Sequence, residues 1–591
     1  MDRTIRTCEG RTRLGLLRAV GLGAALPALA LSLAVAQAAP AAAEGRPAAA
    51  PPAAATTAWG AYLSALHASR RKDSGRASAY FETAAPEARN RLRFLILALR
   101  SHVLAGRMER ATAVARRTVA LSGGGPTMAR LVLALHAAKQ ERFGAAQDHL
   151  DRIAHDSVMR LLLPLLRAWM SLGRHKDPDL ALDEHRDLEE VVQFRPFRLL
   201  HRAHLLDVAG RPQRAAEAYA AVTATPAIGS LRVAETRSNF LFRTGDAAAG
   251  FETIDRFLAV NPDSMTGRLL RARYEADASV APPVGSPADG AAEALLNVAS
   301  ALNLADRPEQ ALPLARLAVW MRPRDAASAF ALGTVLDGDG RHRDAIAVFR
   351  TIGSGSVYNW EARKSAAAAL VELERYDESS AILEKMAAEM PGRFDALWLL
   401  GNVHRSRSAF AEAVAAYDRA YERIADIAPR HWNLLYARGI ALERSGQWPR
   451  AERDFLRALK LNPGQPYVLN YLAYSWVDRG EQLERARGML EEAVRKRPND
   501  GYIVDSVGWV EYRLGNFEAA VRHLERATEL RPHDPIINQH LGDAYWRAGR
   551  RHEARFQWRR ALWLGPEEAE REKTEERLRN GLPPFRPIRR Q

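Results

Sequence analysis

Proline, glycine and alanine return in register through the last third of this chain. They stand at Pro463, Pro498, Pro532 and Pro566, at Ala451, Ala486, Ala520 and Ala554, and at Gly446, Gly480, Gly515 and Gly549. A period of about 34 residues constrains the fold before any residue chemistry is considered, because it marks one supersecondary unit copied end to end. The unit reads as two antiparallel helices. From Trp432 to Pro463, Leu434, Leu435, Ala437, Ala441 and Leu442 fall at helical spacing, and Gly446 supplies the backbone freedom that ends a helix. Ala451, Phe455 and Ala458 line a second helix, which Pro463 stops because proline cannot continue the hydrogen-bond ladder. One such hairpin cannot bury its own apolar face, so neighbours must stack.

Upstream the template weakens without vanishing. Leu400-Gly401 with Ala413, Tyr417 and Ala420 is one copy, Leu332-Gly333 with Gly340, Ala345 and Phe349 another, and Ala311, Ala318 and Pro323 mark one more. Gly245 with Asn261-Pro262 and Gly210 with Ala215 keep the rhythm further back. The expectation is roughly 13 to 15 helix pairs between residues 57 and 565. No sustained Val/Ile/Tyr alternation bounded by turns is present, so the expected class is all-α, an α-solenoid of stacked antiparallel helix pairs.

On these repeats the C-terminal half resembles the tetratricopeptide repeat family. The runs Asn470-Tyr471-Leu472-Ala473-Tyr474, Asp500-Gly501-Tyr502-Ile503-Val504-Asp505-Ser506-Val507-Gly508-Trp509 and His540-Leu541-Gly542-Asp543-Ala544-Tyr545-Trp546 are similar to one subgroup. That subgroup is the long envelope repeat proteins of Gram-negative bacteria, some of them outer-membrane lipoproteins that act as adaptors for a carboxyl-terminal processing protease. The resemblance implies a superhelix whose first helices line a concave face, and a processing protease or its envelope substrates as partners.

The N-terminus reads as an export signal. Arg3, Arg6, Arg11, Arg13 and Arg18 precede an almost wholly apolar stretch from Ala19 to Ala36, and Ala36-Gln37-Ala38 and Ala41-Ala42-Ala43 offer small residues for cleavage. Residues 1–38 are expected to be a signal peptide and 39–56 an Ala/Pro-rich linker, with an uncleaved inner-membrane anchor as the alternative. The one cysteine, Cys8, precedes the apolar core and so cannot be a lipid acceptor at the cleavage site. Removal of the signal would leave no thiol for disulfides, zinc ligation or nucleophilic catalysis. The expected location is the periplasm.

A formal net charge of +15 comes largely from arginines spread along the helices, with short clusters at Arg550-Arg551, Arg559-Arg560 and in the tail at Arg586, Arg589 and Arg590. Interspersed charge is what exposed helices carry, while a net excess of this size also suits anionic partners, a membrane surface among them. Nucleic acid is not expected, because no recognised binding motif is present. Catalytic constellations are also missing. His552-Glu553 continues into Ala554-Arg555-Phe556 without the second histidine of a zinc-protease helix, and Gly123-Gly124-Gly125-Pro126 lacks the Lys-Ser/Thr of a phosphate loop. His201 and His204 lie one turn apart, but no further ligand is placed by sequence to complete a metal site, and they read as an ordinary helix-surface pair. The chain is therefore expected to be non-enzymatic and to need no cofactor or metal.

What rises above background is a strip on the first helices of the last repeats. Tyr436, then Tyr467, Asn470 and Tyr474, then Tyr502, Asp505, Trp509 and Tyr512, then Gln539, Asp543 and Trp546 are expected to project into the groove. Aromatic rings give contact area at low entropic cost, and Asn and Gln amides can pair with a peptide backbone. Asn402 and Asn239 follow Trp398 and Glu235 where a carboxylate clamp would want lysine, so capture of a free C-terminus is not expected.

The organisation expected is a degenerate array over 57–275, a breaker-rich joint over 276–290, a regular array over 291–566, a capping helix over 567–582 and a disordered basic tail over 583–591. An ordered insertion is an equal reading of the 276–290 stretch, which contains Pro282-Pro283, Gly285, Ser286 and Pro287. The functional expectation is a cell-envelope adaptor holding a protein or peptide partner in its groove. The alternative is a scaffold for envelope polysaccharide synthesis or export, with rings stacking on sugars.

Overall fold

A computed structural model describes residues 57–585, except 86–90, 155, 157, 185, 187, 189–190, 192–193, 224–229 and 278–280. The expected signal peptide, linker and last six tail residues lie outside the described residues. Thirty α-helices and no strand are found among the described residues. They fall into two compact units, one ending at Glu374 and one beginning at Arg375. None of these helices is long and apolar enough to cross a membrane.

In the C-terminal unit the repeat is built from three local devices. Side chains at the turns cap the first helices of the last three pairs: Gln465 accepts from the Tyr467 amide at 2.6 Å, Asp500 from the Tyr502 amide at 3.1 Å and Asp534 from the Ile536 amide at 2.9 Å. Gly480 and Gly515, at φ +74° and +89°, end helices Pro466–Arg479 and Gly501–Leu514 in the left-handed conformation that a side chain would oppose. The two helices of a pair then lock by a glycine set against a large residue sixteen positions later. A Cβ on Gly401 would come within 2.4 Å of the Tyr417 ring, on Gly439 within 2.7 Å of Phe455, on Gly508 within 2.5 Å of Leu524 and on Gly542 within 2.5 Å of Trp558. Truncating such a filler to alanine costs about 3–5 kcal/mol for Phe or Trp.

The two rows of helices differ in burial. Helix Gly501–Leu514 is buried nearly all round, through Ile503, Val504, Asp505, Ser506, Val507, Val510 and Tyr512. Its partner Phe517–Leu530 buries only the stripe Ala520, Val521, Leu524 and Ala527. First helices therefore form an inner row in contact from repeat to repeat, and second helices an outer row with one wet face.

The N-terminal unit is built differently. Helix Pro287–Leu304 opens with Ser286, whose hydroxyl accepts from the Asp289 amide at 3.1 Å, and with proline at its first position, where no amide hydrogen is needed. It runs inside the unit against helices Thr127–Lys139, Met159–His175, Arg195–Val208 and Ala326–Gly338. Around it the early hairpins meet the late ones. Arg316 Nε donates to the Leu104 carbonyl at 3.0 Å, Lys139 Nζ to the Trp320 carbonyl at 2.6 Å and Arg341 Nη1 to Ser74 Oγ at 3.1 Å, while Lys72 pairs with Asp339 at 3.4 Å. Ser286 and Pro287, two of the breaker residues, thus start a buried helix inside this unit.

A polar network fills part of this interior. Glu293, fully buried, takes both a 2.9 Å and a 2.5 Å bond from Arg232, which also reaches Glu235 at 2.8 Å. Arg232 and Arg322 hold the Glu293 carboxyl far below the usual range against the upward push of burial. His201 and His204 are buried rather than a surface pair: Trp169 Nε1 donates to His201 Nδ1 at 3.0 Å, and the Tyr219 hydroxyl bonds His204 Nδ1 at 2.9 Å. The periodicity expected of an exposed helix fails here because Arg195–Val208 packs on two sides. Among the described residues no group of three or more His, Cys, Asp or Glu could hold a metal ion.

Candidate functional site

The inner row of the C-terminal unit carries the expected strip on helices Trp432–Arg444, Pro466–Arg479, Gly501–Leu514 and Pro535–Arg547. Because consecutive first helices are one repeat apart, the strip resolves into two columns. Asn470, Asp505 and Gln539 form one, and Tyr474, Trp509 and Asp543 the other, each pair one helical turn apart on its helix.

The protein itself engages much of this set. Tyr467 and Tyr502, at the starts of their helices, lie under the guanidinium groups of Arg497 and Arg531 at 5.7 and 4.9 Å. Tyr436 meets Tyr471 edge to face at 6.1 Å. At the C-terminal end, helix Glu568–Asn580 packs beside the last inner helix. Gln539 donates to Glu570 at 2.9 Å and accepts from Thr574 at 3.1 Å, while Asp543 accepts from Trp558 Nε1 at 2.8 Å and pairs with Arg577 at 3.4 Å. Trp546 lies 3.9 Å from the Arg551 guanidinium and 5.2 Å from Trp558. Phe585, expected in a disordered tail, is packed 5.0 Å from Phe517 and 6.3 Å from Tyr512. An aromatic ring with a ready apolar seat is more favourable buried than in water.

What remains is the middle of the strip. Tyr474 and Asn470 are half-buried, and Asn470 Oδ1 is a buried acceptor without a hydrogen-bond partner among the described residues. Trp509 stacks on Tyr512 at 4.8 Å and on His540 at 4.1 Å, and its indole N–H is likewise a buried donor without a partner. Asp505 bonds His540 Nδ1 at 3.0 Å. Burial pulls the His540 imidazole down, and the Asp505 carboxylate outweighs it, leaving the group above its ordinary value. Burial pushes the Tyr474 hydroxyl up, with Asp505, Asp478 and Glu570 adding to it. The arrangement brings together an unmet buried acceptor, an unmet buried donor and a phenol held neutral, on consecutive helices. The sequence reading missed His540, whose place directly below Asp505 one repeat on was readable from the period alone.

Stacked helical hairpins, with first helices as an inner row and second helices as an outer one, define a repeat scaffold. Residues 365–429 and 436–501 match the family model described as "Tetratricopeptide repeat", and residues 508–549 match "TPR repeat". The matched segments are tetratricopeptide repeats, and such repeats act as protein–protein interaction scaffolds. The chain is similar to "TPR repeat-containing protein PA4667" of Pseudomonas aeruginosa, with 30% identity over 161 residues, 26% of this chain and 26% of that protein. It is also similar to "Superkiller complex protein 3" of Mus musculus, with 27% identity over 129 residues, 21% of this chain and 8% of that protein. The chain thus spans about a quarter of the first relative's length and less of the second's. Among solved structures, the Cut9 and Hcn1 hetero-tetramer of the APC/C aligns over 88% of this chain and 96% of that chain at 13% identity, with a TM-score of 0.38. MamA from Desulfovibrio magneticus RS-1 aligns over 29% of this chain and 96% of that chain at 20% identity, with a TM-score of 0.26.

Proposed function

We propose that this protein is a non-catalytic adaptor of the bacterial envelope that holds an extended segment of a partner protein along the inner row of its C-terminal unit. The reading rests on one observation: Asn470 Oδ1 and Trp509 Nε1, on consecutive inner helices, are buried hydrogen-bonding atoms without partners among the described residues. An unmet buried polar atom costs about 1–3 kcal/mol, and a peptide backbone, offering alternating carbonyls and amides, can satisfy both at once. Preformed helices lose little freedom on binding, so modest contacts add up. The export-like N-terminus and the resemblance to protease adaptors support an envelope protease or its substrates as the partner class. Trp509 offers a hydrogen-bonding edge while its ring already stacks on Tyr512 and His540, which favours a peptide over sugar stacking.

The test is affinity capture from envelope extract with the wild type beside Asn470→Ala/Trp509→Phe, which removes the free acceptor and donor but keeps an aromatic ring. A protein recovered with the wild type and lost with the folded variant supports the reading. Identical recovery, or recovery of glycan in place of protein, overturns it.

A further inference from the structure

The last outer helix, Arg551–Trp563, differs from the outer helices before it. Trp563 is 80% exposed and Phe556 60% exposed, and with His552 and Arg559 they form one stripe at spacing i, i+4, i+7 and i+11 on the face turned away from the inner row. The repeat does not require these rings. One period earlier the same positions hold Arg522 and Glu529, and a period before that Gly488 and Arg495, all exposed. The charge beside the rings is positive and only partly paired. Arg550 binds Glu525 at 3.1 Å and Glu553 at 3.0 Å, which takes up the nearby carboxylates. Arg555 and Arg559 have no ion-pair partner among the described residues; the Arg555 guanidinium lies 5.9 Å from the Trp546 ring and Arg559 is exposed.

We propose that this stripe is a membrane-contact surface for anionic lipid. The inference goes beyond the adaptor reading and uses the opposite row of helices. Two protruding aromatic rings flanked by arginines on the wet face of an amphipathic helix are the pattern of a helix that lies in the headgroup layer, its rings in the acyl boundary and its cations among phosphates. An outward-facing row can meet a broad flat surface, whereas a peptide finds its depth on the inner row. Attraction to anionic headgroups adds to ring insertion, so binding weakens as salt rises. The chain's net charge of +15 acts in the same direction.

The experiment is fluorescence quenching by brominated lipid, using the full chain with vesicles of phosphatidylcholine alone or mixed with phosphatidylglycerol. The signal of Trp563 is isolated as the difference between wild type and Trp563→Phe, so that any other segment touching the vesicle does not contribute. The expected result is quenching of the difference signal in the mixed vesicles, little in the neutral ones, and a loss of affinity of about 30-fold in Arg555→Gln/Arg559→Gln. These two side chains are exposed, and circular dichroism confirms that the variant folds. No quenching in mixed vesicles, equal quenching in neutral ones, or full quenching in the arginine variant overturns the proposal. Protection of Trp563 by polyglutamate but not by vesicles also overturns it, and assigns the stripe to an acidic protein.

Discussion

Gly290 lies against the indole of Trp169 so closely that a Cβ would come within 2.1 Å of the ring. The glycine belongs to the helix inside the N-terminal unit and the tryptophan, fully buried, to helix Met159–His175. Gly290→Ala should therefore destabilise the unit by about 1–3 kcal/mol, although alanine is the better helix former, because the indole has no room to retreat. Urea denaturation of the two proteins measures it, and a neutral or stabilising effect would show that the two helices can slide apart.

Glu293 is the charge on which this interior turns. Glu293→Gln keeps the shape but removes one of the two counter-ions of Arg232, and should cost about 3–5 kcal/mol. Arg232 retains Glu235, which is expected to bring the loss toward the lower end. A midpoint in denaturant unchanged from wild type would mean that the carboxylate contributes nothing net to folding.

The two units should respond to pH in opposite senses at one histidine each. Burial lowers His204 from 6.5 to about 4, so protonation favours the unfolded chain, and stability present above 6.5 is lost as pH falls toward 4, by up to about 3 kcal/mol. His540 is raised by Asp505, so its contribution is complete below about 6.5 and is lost as pH rises through its higher folded value. His204→Gln should flatten the acid limb and His540→Gln the neutral limb of stability against pH. A variant whose profile keeps the wild-type slope would remove the assignment for that residue.

Phe585 fastens the segment after the last helix. Arg547 donates to the Pro583 carbonyl at 2.5 Å and its guanidinium lies 5.7 Å from the Phe585 ring. Phe585→Ala should leave global stability nearly unchanged while speeding proteolytic cleavage after residue 581, since only this short segment is released. Equal cleavage rates would mean that the ring is not what holds it.

The regular repeats were legible because each glycine and its filler sit a constant sixteen residues apart, as in Gly439 with Phe455 and Gly542 with Trp558. A local rule repeated in register leaves little for long-range contacts to decide. The N-terminal unit was less legible for the converse reason. Lys72 with Asp339 and Arg316 with Leu104 are contacts between distant hairpins that no periodicity announces, and Pro287 reads equally as a breaker or as the first residue of a helix. The strip shows the same divide. Its two columns followed from helical spacing, but Arg531 over Tyr502 and Glu570 on Gln539 depend on where the next element returns.

The seam of the N-terminal unit has an asymmetry with a genetic consequence. Arg316 and Lys139 end on main-chain carbonyls, those of Leu104 and Trp320, which every amino acid supplies. Mutation at 104 or 320 leaves the acceptor in place, whereas loss of the donor removes the bond. Each side of the seam supplies one cation and one carbonyl, so related chains can diverge at both acceptor positions and still make these two bonds, retaining two cations where a repeat consensus has faded.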